Sequence, residues 1–514
     1  MNNAPVSGAE WWREGVLYQI YPRSFADSNG DGVGDLPGVT SRLDYLEWLG
    51  VDAIWLNPTM PSPNADWGYD VADYCDVHPD FGTLADLDEL IEQADARGIR
   101  IVLDLVPNHT SDGHPWFADS RASRTSPRRD WYFWRDPKPD GSPPNNWLSV
   151  FGKGGPAWKL DETTGQMYLH HFLPEQPDLN WWSEEVRAAI EGVQRFWFER
   201  GVAGFRIDVV SELVKLRDLP DEGGDPEQFG KHADERETHC VLRRWRRLAD
   251  SYEPPRLLLG ETWAMDAPTL ASFHGESNDE LNLAFNFPFM LAPLDPEILV
   301  PVVEATEEIF LPEAWPVWTG SNHDFVRFPT RWCEDDERKV RCALLLLLTL
   351  RGTPVLYYGD ELGLPQVEVG GEDVRDIAGR DGARTPMHWS AEAGAGFTEP
   401  GAKPWLPFGE FAVRNVADQR GDPASVLTFV RDLIALRRES ADLRGGSYSI
   451  ASSPEGTWVW RRGEATSVAL NLSGRAAAVD VGAGTIRIAT DRGREGERVE
   501  GRLELPPWSG AVVS

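Results

Sequence analysis

The chain has 514 residues, 41% of them hydrophobic and 26% charged, with 23 Trp and 21 Phe. That apolar content excludes a disordered polymer, and a length of roughly three ~150-residue units calls for several domains or one large barrel. Lys and Arg number 50 against 83 Asp and Glu, a formal net charge of −33, which excludes nucleic acid as a partner because the counterion release that drives such binding needs cationic side chains.

In chain order, MNNAPVSGAEWWREG has no basic segment followed by an apolar run, so no secretory leader is expected. VLYQIYP (16–22) predicts a buried strand. Next, Asp27, Asn29, Asp31, Val33 and Asp35 stand at alternate positions around Gly32, an oxygen-ligand spacing like that of an EF-hand loop. The twelfth position is Gly38 and not a bidentate Glu, and a strand precedes the loop, so it is no EF-hand; a metal-free turn remains the alternative. DLPGVTSRLDYLEWLG and TLADLDELIEQADARG carry helical apolar spacing and stop at Gly50 and Gly98. Further buried strands are predicted at 51–58, 99–107, 201–210, 256–263, 315–324 and 353–361, with a helix around 340–350. Repeated strand–helix–strand units of this size predict a (β/α)8 barrel with a parallel sheet.

Residues 111–180, rich in Pro, Gly, Trp and Asp, are too long for a ~2–6 residue loop and predict a small domain inserted after the third strand. A second interruption covers 364–422. After a helix at 426–439 the pattern turns to short alternating strands with Gly-rich turns, predicting a C-terminal antiparallel β-sandwich. The expected divisions are 1–110 and 181–440 for the barrel, 111–180 for the insert and 441–514 for the sandwich. The longest apolar run, Cys342 to Leu350, is far short of the ~20 residues needed to span a bilayer, so no membrane partner is expected. Four cysteines without C-x-x-C spacing suit free thiols in a reducing, cytoplasmic compartment.

Barrels place chemistry at the C-terminal strand ends. Those ends carry Asp104 with Asn108 and His109, Arg206 with Asp208, Glu261, and His323 with Asp324. Carboxylates converging from separate strands are what glycoside hydrolysis requires, one as nucleophile and one as general acid. Arg206 lies two residues before Asp208, on the same strand face, where its charge is expected to keep Asp208 ionised. Glu261, at an apolar strand end, is expected to stay protonated through desolvation.

DLVPNHT (104–110), GFRIDVV (204–210), GETW (260–263) and SNHD (321–324), in this order, resemble the four signature regions of glycoside hydrolase family 13, the α-amylase family. GVDAIWLNP, QPDLN (176–180) and GTPVLYYGDE resemble its accessory regions, QPDLN being similar to that of the α-glucosidase and oligo-1,6-glucosidase branch. The resemblance implies Asp208 as nucleophile, Glu261 as general acid/base and Asp324 as the third carboxylate gripping sugar hydroxyls. His109 and His323 are implied ligands of the sugar in the −1 subsite, the position of the glucose whose bond is cleaved. Asp66 and Tyr69 in DWGYD match the acidic and stacking pair of exo-acting relatives, Arg384 matches the Arg that pairs with that Asp, and Phe172 and Gln176 fall at the pocket roof.

The implied activity is a retaining exo-α-glucosidase acting on short α-1,6 or α-1,4 glucosides, with small-molecule substrates and a monomer or homodimer as the working unit. The alternative is a glucosyltransferase or a sucrose/trehalose-type isomerase using the same double displacement, and more remotely a non-catalytic relative. The resemblance further implies one structural Ca2+ or Mg2+, held by Asp27, Asn29, Asp31, the Val33 carbonyl and Asp35, and no organic cofactor. Trp67, His388 and Phe325-Val326 depart from the branch pattern and are expected at the pocket entrance. Val209, next to Asp208, is the residue expected to bear on linkage, since Val there accompanies α-1,6 activity in relatives.

Overall fold

A computed structural model describes residues 10–151, 155–221, 233, 235–451 and 453–514; the N-terminal stretch in which no secretory leader is expected lies outside it up to residue 9. The barrel strands are β1 (Leu17–Ile20), β2 (Ala53–Leu56) and β3 (Arg100–Leu105), followed after the insert by five more. The insert contributes β4 (Trp134–Arg135), β5 (Trp158–Asp161) and β6 (Gln166–Leu169), a separate three-stranded antiparallel sheet in the order β4-β6-β5. The barrel resumes with β7 (Gly204–Ile207), β8 (Leu257–Gly260), β9 (Leu283–Ala284), β10 (Val317–Trp318) and β11 (Thr353–Tyr357). All eight pair in parallel in the order β10-β11-β1-β2-β3-β7-β8-β9, a nearly closed (β/α)8 barrel. β1, β2, β7, β8 and β11 are buried at every position, as strands covered on both faces by side chains must be.

Seven barrel strands match sequence expectations; β9 was missed because two residues of LNLAFNFP leave no periodic pattern to read. The helix expected over 35–50 is two, Leu36–Ser41 and Leu43–Leu49, interrupted at Arg42 and closed by Gly50 at φ 92°, where a side chain would be strained. The helix Leu84–Asp95 starts at a capping box in which Thr83 and Asp86 exchange hydrogen bonds.

At the C-terminus β12 (Tyr448–Ala451), β13 (Thr457–Arg462), β14 (Thr466–Asn471), β15 (Ala477–Ala489), β16 (Arg498–Leu505) and β17 (Ser509–Val513) form an antiparallel sheet. β15 pairs with β16 over its first part and with β17 over its second, with register shifts after Asp480 and Ile486. The two parts enclose a core of Val459, Val479, Ile486, Leu503 and Val513. The helix Val426–Glu439 packs on the barrel and carries Arg437, whose guanidinium donates to the carbonyls of Leu348, Leu350 and Gly352.

Among the described residues no helix is long and apolar enough to cross a membrane. Cys75, Cys240, Cys333 and Cys342 are all free, the last two buried.

Candidate active site

The strand ends expected to carry chemistry do converge. Asp208 follows β7, Glu261 follows β8 and Asp324 follows β10, and all three line one cavity of about 250 Å3. Asp66 and Tyr69 from the loop after β2, His109 from the loop after β3, and Arg380 complete its polar wall, with Phe172 from the insert lying 5.2 Å from His109. This is small against the roughly 300–1,000 Å3 of drug-sized ligand pockets.

The loop after β2 owes its shape to Asp70, a fully buried carboxylate that accepts from Ser62 Oγ (2.7 Å), Ala65 N (2.9 Å) and Asp66 N (3.0 Å). Trp67 then turns back at φ 49° and Gly68 at φ 109°, so that Asp66 and Tyr69 project into the cavity. Tyr69 Oη receives the Asn57 amide at 2.9 Å, donates to Asp104 Oδ2 at 3.0 Å, and lies 2.6 Å from His323 Nε2, with the two rings stacked at 6°.

Arg206 is the hub of the carboxylates. Its Nη1 donates to Asp104 Oδ1 and Asp208 Oδ1, each at 2.8 Å, and its Nη2 to Glu261 Oε2. The expectation that Arg206 simply keeps Asp208 ionised needs correction, because one guanidinium serves three buried carboxylates. Burial raises Asp208 well above the usual carboxylate range; Arg206 opposes this, while neighbouring Glu261 and Asp104 add to it. Charge on Asp208 is thus opposed by burial and by two neighbouring carboxylates, with Arg206 the one counter-charge that all three share. Asp104, named among the strand-end residues but assigned no role there, is pushed to about 6 by burial against the pull of Arg206. Its place at the end of β3, in DLVPNHT, was the available signal.

Glu261 is further gripped by Trp263 Nε1, which donates to Oε1 at 3.0 Å, and by the Val209 amide, 3.3 Å from Oε2. Both donors stand on left-handed backbone, Val209 at φ 47° and Trp263 at φ 43°. Such conformations cost about 1–3 kcal/mol each in a residue with a β-carbon. At Val209 the turn aims its amide at Glu261 and presents the side chain to the cavity wall.

The Asp66 partner differs from expectation. Arg380, not Arg384, donates to Asp66 Oδ1 at 2.5 Å, and its Nη1 reaches Asp324 Oδ1 at 3.1 Å. Asp376 braces Arg380 from behind, accepting from its backbone N (2.8 Å), Nε (3.0 Å) and Nη2 (2.5 Å). Arg384 instead donates to the His323 carbonyl at 2.9 Å and to Asp324 at 3.3 Å. Four residues apart in RDGAR, the two arginines enclose a short 3-10 turn over Asp381–Ala383, and that turn decides which one reaches Asp66. Burial alone would raise Asp324; His323, Arg380 and Arg384 together hold it well below the usual carboxylate range.

The histidines differ from each other. His109 lines the cavity, its Nε2 3.0 Å from the Tyr69 carbonyl and its Nδ1 3.0 Å from the Asn108 amide, and burial lowers it to about 4. His323 is not in the cavity wall. The Gln19 amide nitrogen, a donor only, lies 2.9 Å from its Nδ1, so the proton belongs on Nε2, facing Tyr69 Oη and Asp324 Oδ2 (3.2 Å). Both ring nitrogens are thereby engaged by protein, and His323 holds Tyr69 and Asp324 in place instead of meeting the cavity directly. Gln176, also fully buried, donates to Asp66 Oδ2 at 3.0 Å from behind the wall.

Of the residues expected at the entrance, Phe325 lines the cavity, beside Trp263, Val209, Phe151, Val150 and Ala378. Trp67 packs on Trp405 outside it, and His388 is buried, with Nδ1 3.0 Å from the Arg414 carbonyl, so neither borders the pocket.

The loop 27–35 winds through side-chain turns. Asp27 Oδ1 accepts from Asn29 N (3.0 Å) and Gly30 N (2.8 Å), Asn29 Oδ1 from Asp31 N (2.9 Å) and Asp31 Oδ1 from Val33 N (2.8 Å). Asp35 is buried and caps the next helix through Gly38 N at 2.6 Å. Among the described residues no three acidic, His or Cys side chains are drawn together as a metal cluster.

Residues 19–446 match the alpha amylase catalytic domain family. A probable alpha-glucosidase of Rhizobium meliloti is 39% identical over 97% of this chain and 96% of its own length, and an oligo-1,6-glucosidase of Heyndrickxia coagulans is 39% identical over 86% and 87%. Among solved structures, an alpha-glucosyl transfer enzyme superposes with a TM-score of 0.90 at 40% identity, covering 98% of this chain and 99% of that one. The trehalulose synthase of Pseudomonas mesoacidophila MX-45 gives 0.90 at 34%, covering 99% and 100%. Converging carboxylates, barrel and sequence agree: the chain belongs to the alpha-amylase family and is a glycoside hydrolase.

Proposed function

We propose that this glycoside hydrolase is an exo-acting, retaining α-glucosidase that removes single glucose units from short α-1,6 or α-1,4 glucosides. The carrying observation is that the Asp66–Arg380 pair lines the same small cavity as Asp208 and Glu261, a charged wall suited to the hydroxyls of one terminal sugar. Asp208 serves as nucleophile, attacking the anomeric carbon as the bond to the leaving oxygen breaks. Glu261 gives that oxygen a proton, then recovers one from the water that hydrolyses the glucosyl ester. Asp324, kept ionised by its arginines, takes sugar hydroxyls and balances the oxocarbenium charge; Asp66 takes hydroxyls, His109 packs beside it as part of the wall with both ring nitrogens held by protein, and Tyr69 offers its ring face. Phe172 roofs the sugar, while Gln176, Arg206, His323 and Arg384 position these groups.

Glucosyl transfer is the second reading, favoured by the likeness to an alpha-glucosyl transfer enzyme; there an acceptor hydroxyl replaces water in the second step. The loop 27–35 offers an all-oxygen set, Asp27, Asn29, Asp31, Asp35 and the Val33 carbonyl, and among the described residues no basic side chain pairs with its three carboxylates. Such a set suits one structural Ca2+ or Mg2+, which would neutralise the loop far along the chain from the catalytic groups.

The test is NMR of early products from isomaltotriose and maltotriose. The expected products are α-glucose and the corresponding disaccharide, with Asp208→Asn inactive but folded. β-Glucose as first product, or internal cleavage of a longer malto-oligosaccharide with equal ease, refutes the reading.

A further inference from the structure

Glu261 is held by three N–H groups, and one of them belongs to a side chain with no charge to offer. Its Oε2 accepts from Arg206 Nη2 and from the Val209 amide at 3.3 Å, while Oε1 accepts from Trp263 Nε1 at 3.0 Å. A carboxylate has about two acceptor positions on each oxygen, so Oε2 is filled and Oε1 keeps one place open. Trp263 reaches Oε1 from two residues further along the chain with its backbone turned left-handed, at φ 43°, a conformation that costs energy in a residue with a β-carbon. Its indole is fixed in turn by Phe287, with ring centroids 4.6 Å apart at 14°. Phe287 is buried and opens the short helix Phe287–Leu291, whose first turn is tied down by Asn286 Oδ1 accepting from Phe289 N at 3.0 Å. An outlying backbone, a stacked ring and a directed N–H thus converge on one carboxyl oxygen.

We propose that Trp263 is a positioning residue for proton transfer, its N–H locking the rotation of the Glu261 carboxyl so that the transferable proton sits on Oε1. The inference rests on the α-glucosidase reading above, in which Glu261 is the general acid. In the first step Asp208 bonds to the anomeric carbon, the bond from that carbon to the leaving oxygen breaks, and the proton passes from Glu261 Oε1 to that oxygen. In the second, water adds to the anomeric carbon, the ester to Asp208 breaks, and the proton of the water returns to Oε1. An indole suits this post because it is a donor only, so it cannot take the proton itself, as a His in its place would. Without the N–H the carboxyl stays tethered at Oε2 but is free to swing Oε1 out of line, and a misplacement of about 1 Å costs on the order of 100-fold in rate.

The test compares kcat/KM, which reports the first step alone, for methyl α-glucoside, isomaltose and α-glucosyl fluoride in the wild type and in Trp263→Phe, which keeps an aromatic ring against Phe287 and removes the N–H. Benzothienylalanine in place of Trp263 is the second variant, matching the indole in shape and lacking the donor. The two glycosides need their leaving alcohol protonated, whereas fluoride departs with little help from an acid. Both variants should lower kcat/KM for the glycosides about 30-fold, a part of the roughly 100- to 10,000-fold that a positioned acid supplies, and for the fluoride less than about 3-fold. Melting curves confirm that the variants fold. A loss shared equally by all three substrates marks a role in binding or packing, and unchanged glycoside cleavage marks no role; either overturns the inference and leaves the α-glucosidase reading standing. A wild type that releases glucose from none of the three brings down both.

Discussion

Replacing Arg380 by Met separates the geometry seen here from the pairing the sequence implied. Arg380 is about 10% exposed in its side chain, Asp66 about 5%, and they meet at 2.5 Å. Removing one partner of a buried ion pair costs about 3–5 kcal/mol, chiefly because the other charge is left uncompensated. Asp324 keeps Arg384 at 3.3 Å, so the orphaned charge is Asp66, and the lower end of that range applies. If about 3 kcal/mol falls on recognition of the terminal sugar, kcat/KM drops about 100-fold, at 1.36 kcal/mol per decade. The assay is kcat/KM on nitrophenyl α-glucoside, with melting temperatures, for Arg380→Met, Arg384→Met, Asp66→Asn and the two double variants. Asp66→Asn should cost much less once Arg380 is gone, a coupling of about 2 kcal/mol, whereas its coupling to Arg384, which makes no contact with Asp66, should be less than half as large. Equal couplings, or Arg380→Met retaining more than a tenth of the activity, would refute the assignment.

Asp360, fully buried and accepting from Tyr357 N at 3.0 Å, is raised from 3.8 to about 7 by burial, against Arg327. The folded protein therefore holds a proton there that the unfolded chain releases, so this group costs stability as pH rises from about 4 to about 7, by a few kcal/mol at most. Asp360→Asn should melt higher relative to wild type at pH 7.5 than at pH 4.5; an identical difference at both pH values sinks the argument. Exhaustive EDTA treatment should lower the melting temperature and release about one divalent ion per chain, by mass action on the folded state. No shift and no ion by metal analysis would remove the site at 27–35. Val209→Ala should move the kcat/KM ratio of maltose to isomaltose upward by about 10-fold, within the roughly 10 to 200-fold that a pocket methyl or two commands. An unchanged ratio would show that Val209 does not set linkage.

The barrel strands were legible in the chain because a strand buried on both faces must be a short apolar run whatever surrounds it, and VLYQI, AIWL, RIVLDL and LLLG leave no other option. The catalytic candidates were legible for the related reason that barrels expose chemistry at strand ends, so Asp208, Glu261 and Asp324 could be picked by position. What only the tertiary structure decided concerns distances between segments far apart in sequence. Arg380 and Arg384 carry the same charge in one short segment, and the 3-10 turn between them, packed against a loop some 310 residues earlier, chose Arg380 for Asp66. His323 reads as a ligand in SNHD, yet Gln19 on β1 fixes its tautomer and turns it into a support for Tyr69. Arg206 next to Asp208 reads as a private counter-charge, but folding brings Asp104 and Glu261 to the same guanidinium, and burial then lifts Asp208 instead of lowering it. Periodicity and strand-end position are local properties that composition can carry, whereas the sharing of one buried charge among groups from three strands exists only after the chain has closed around it.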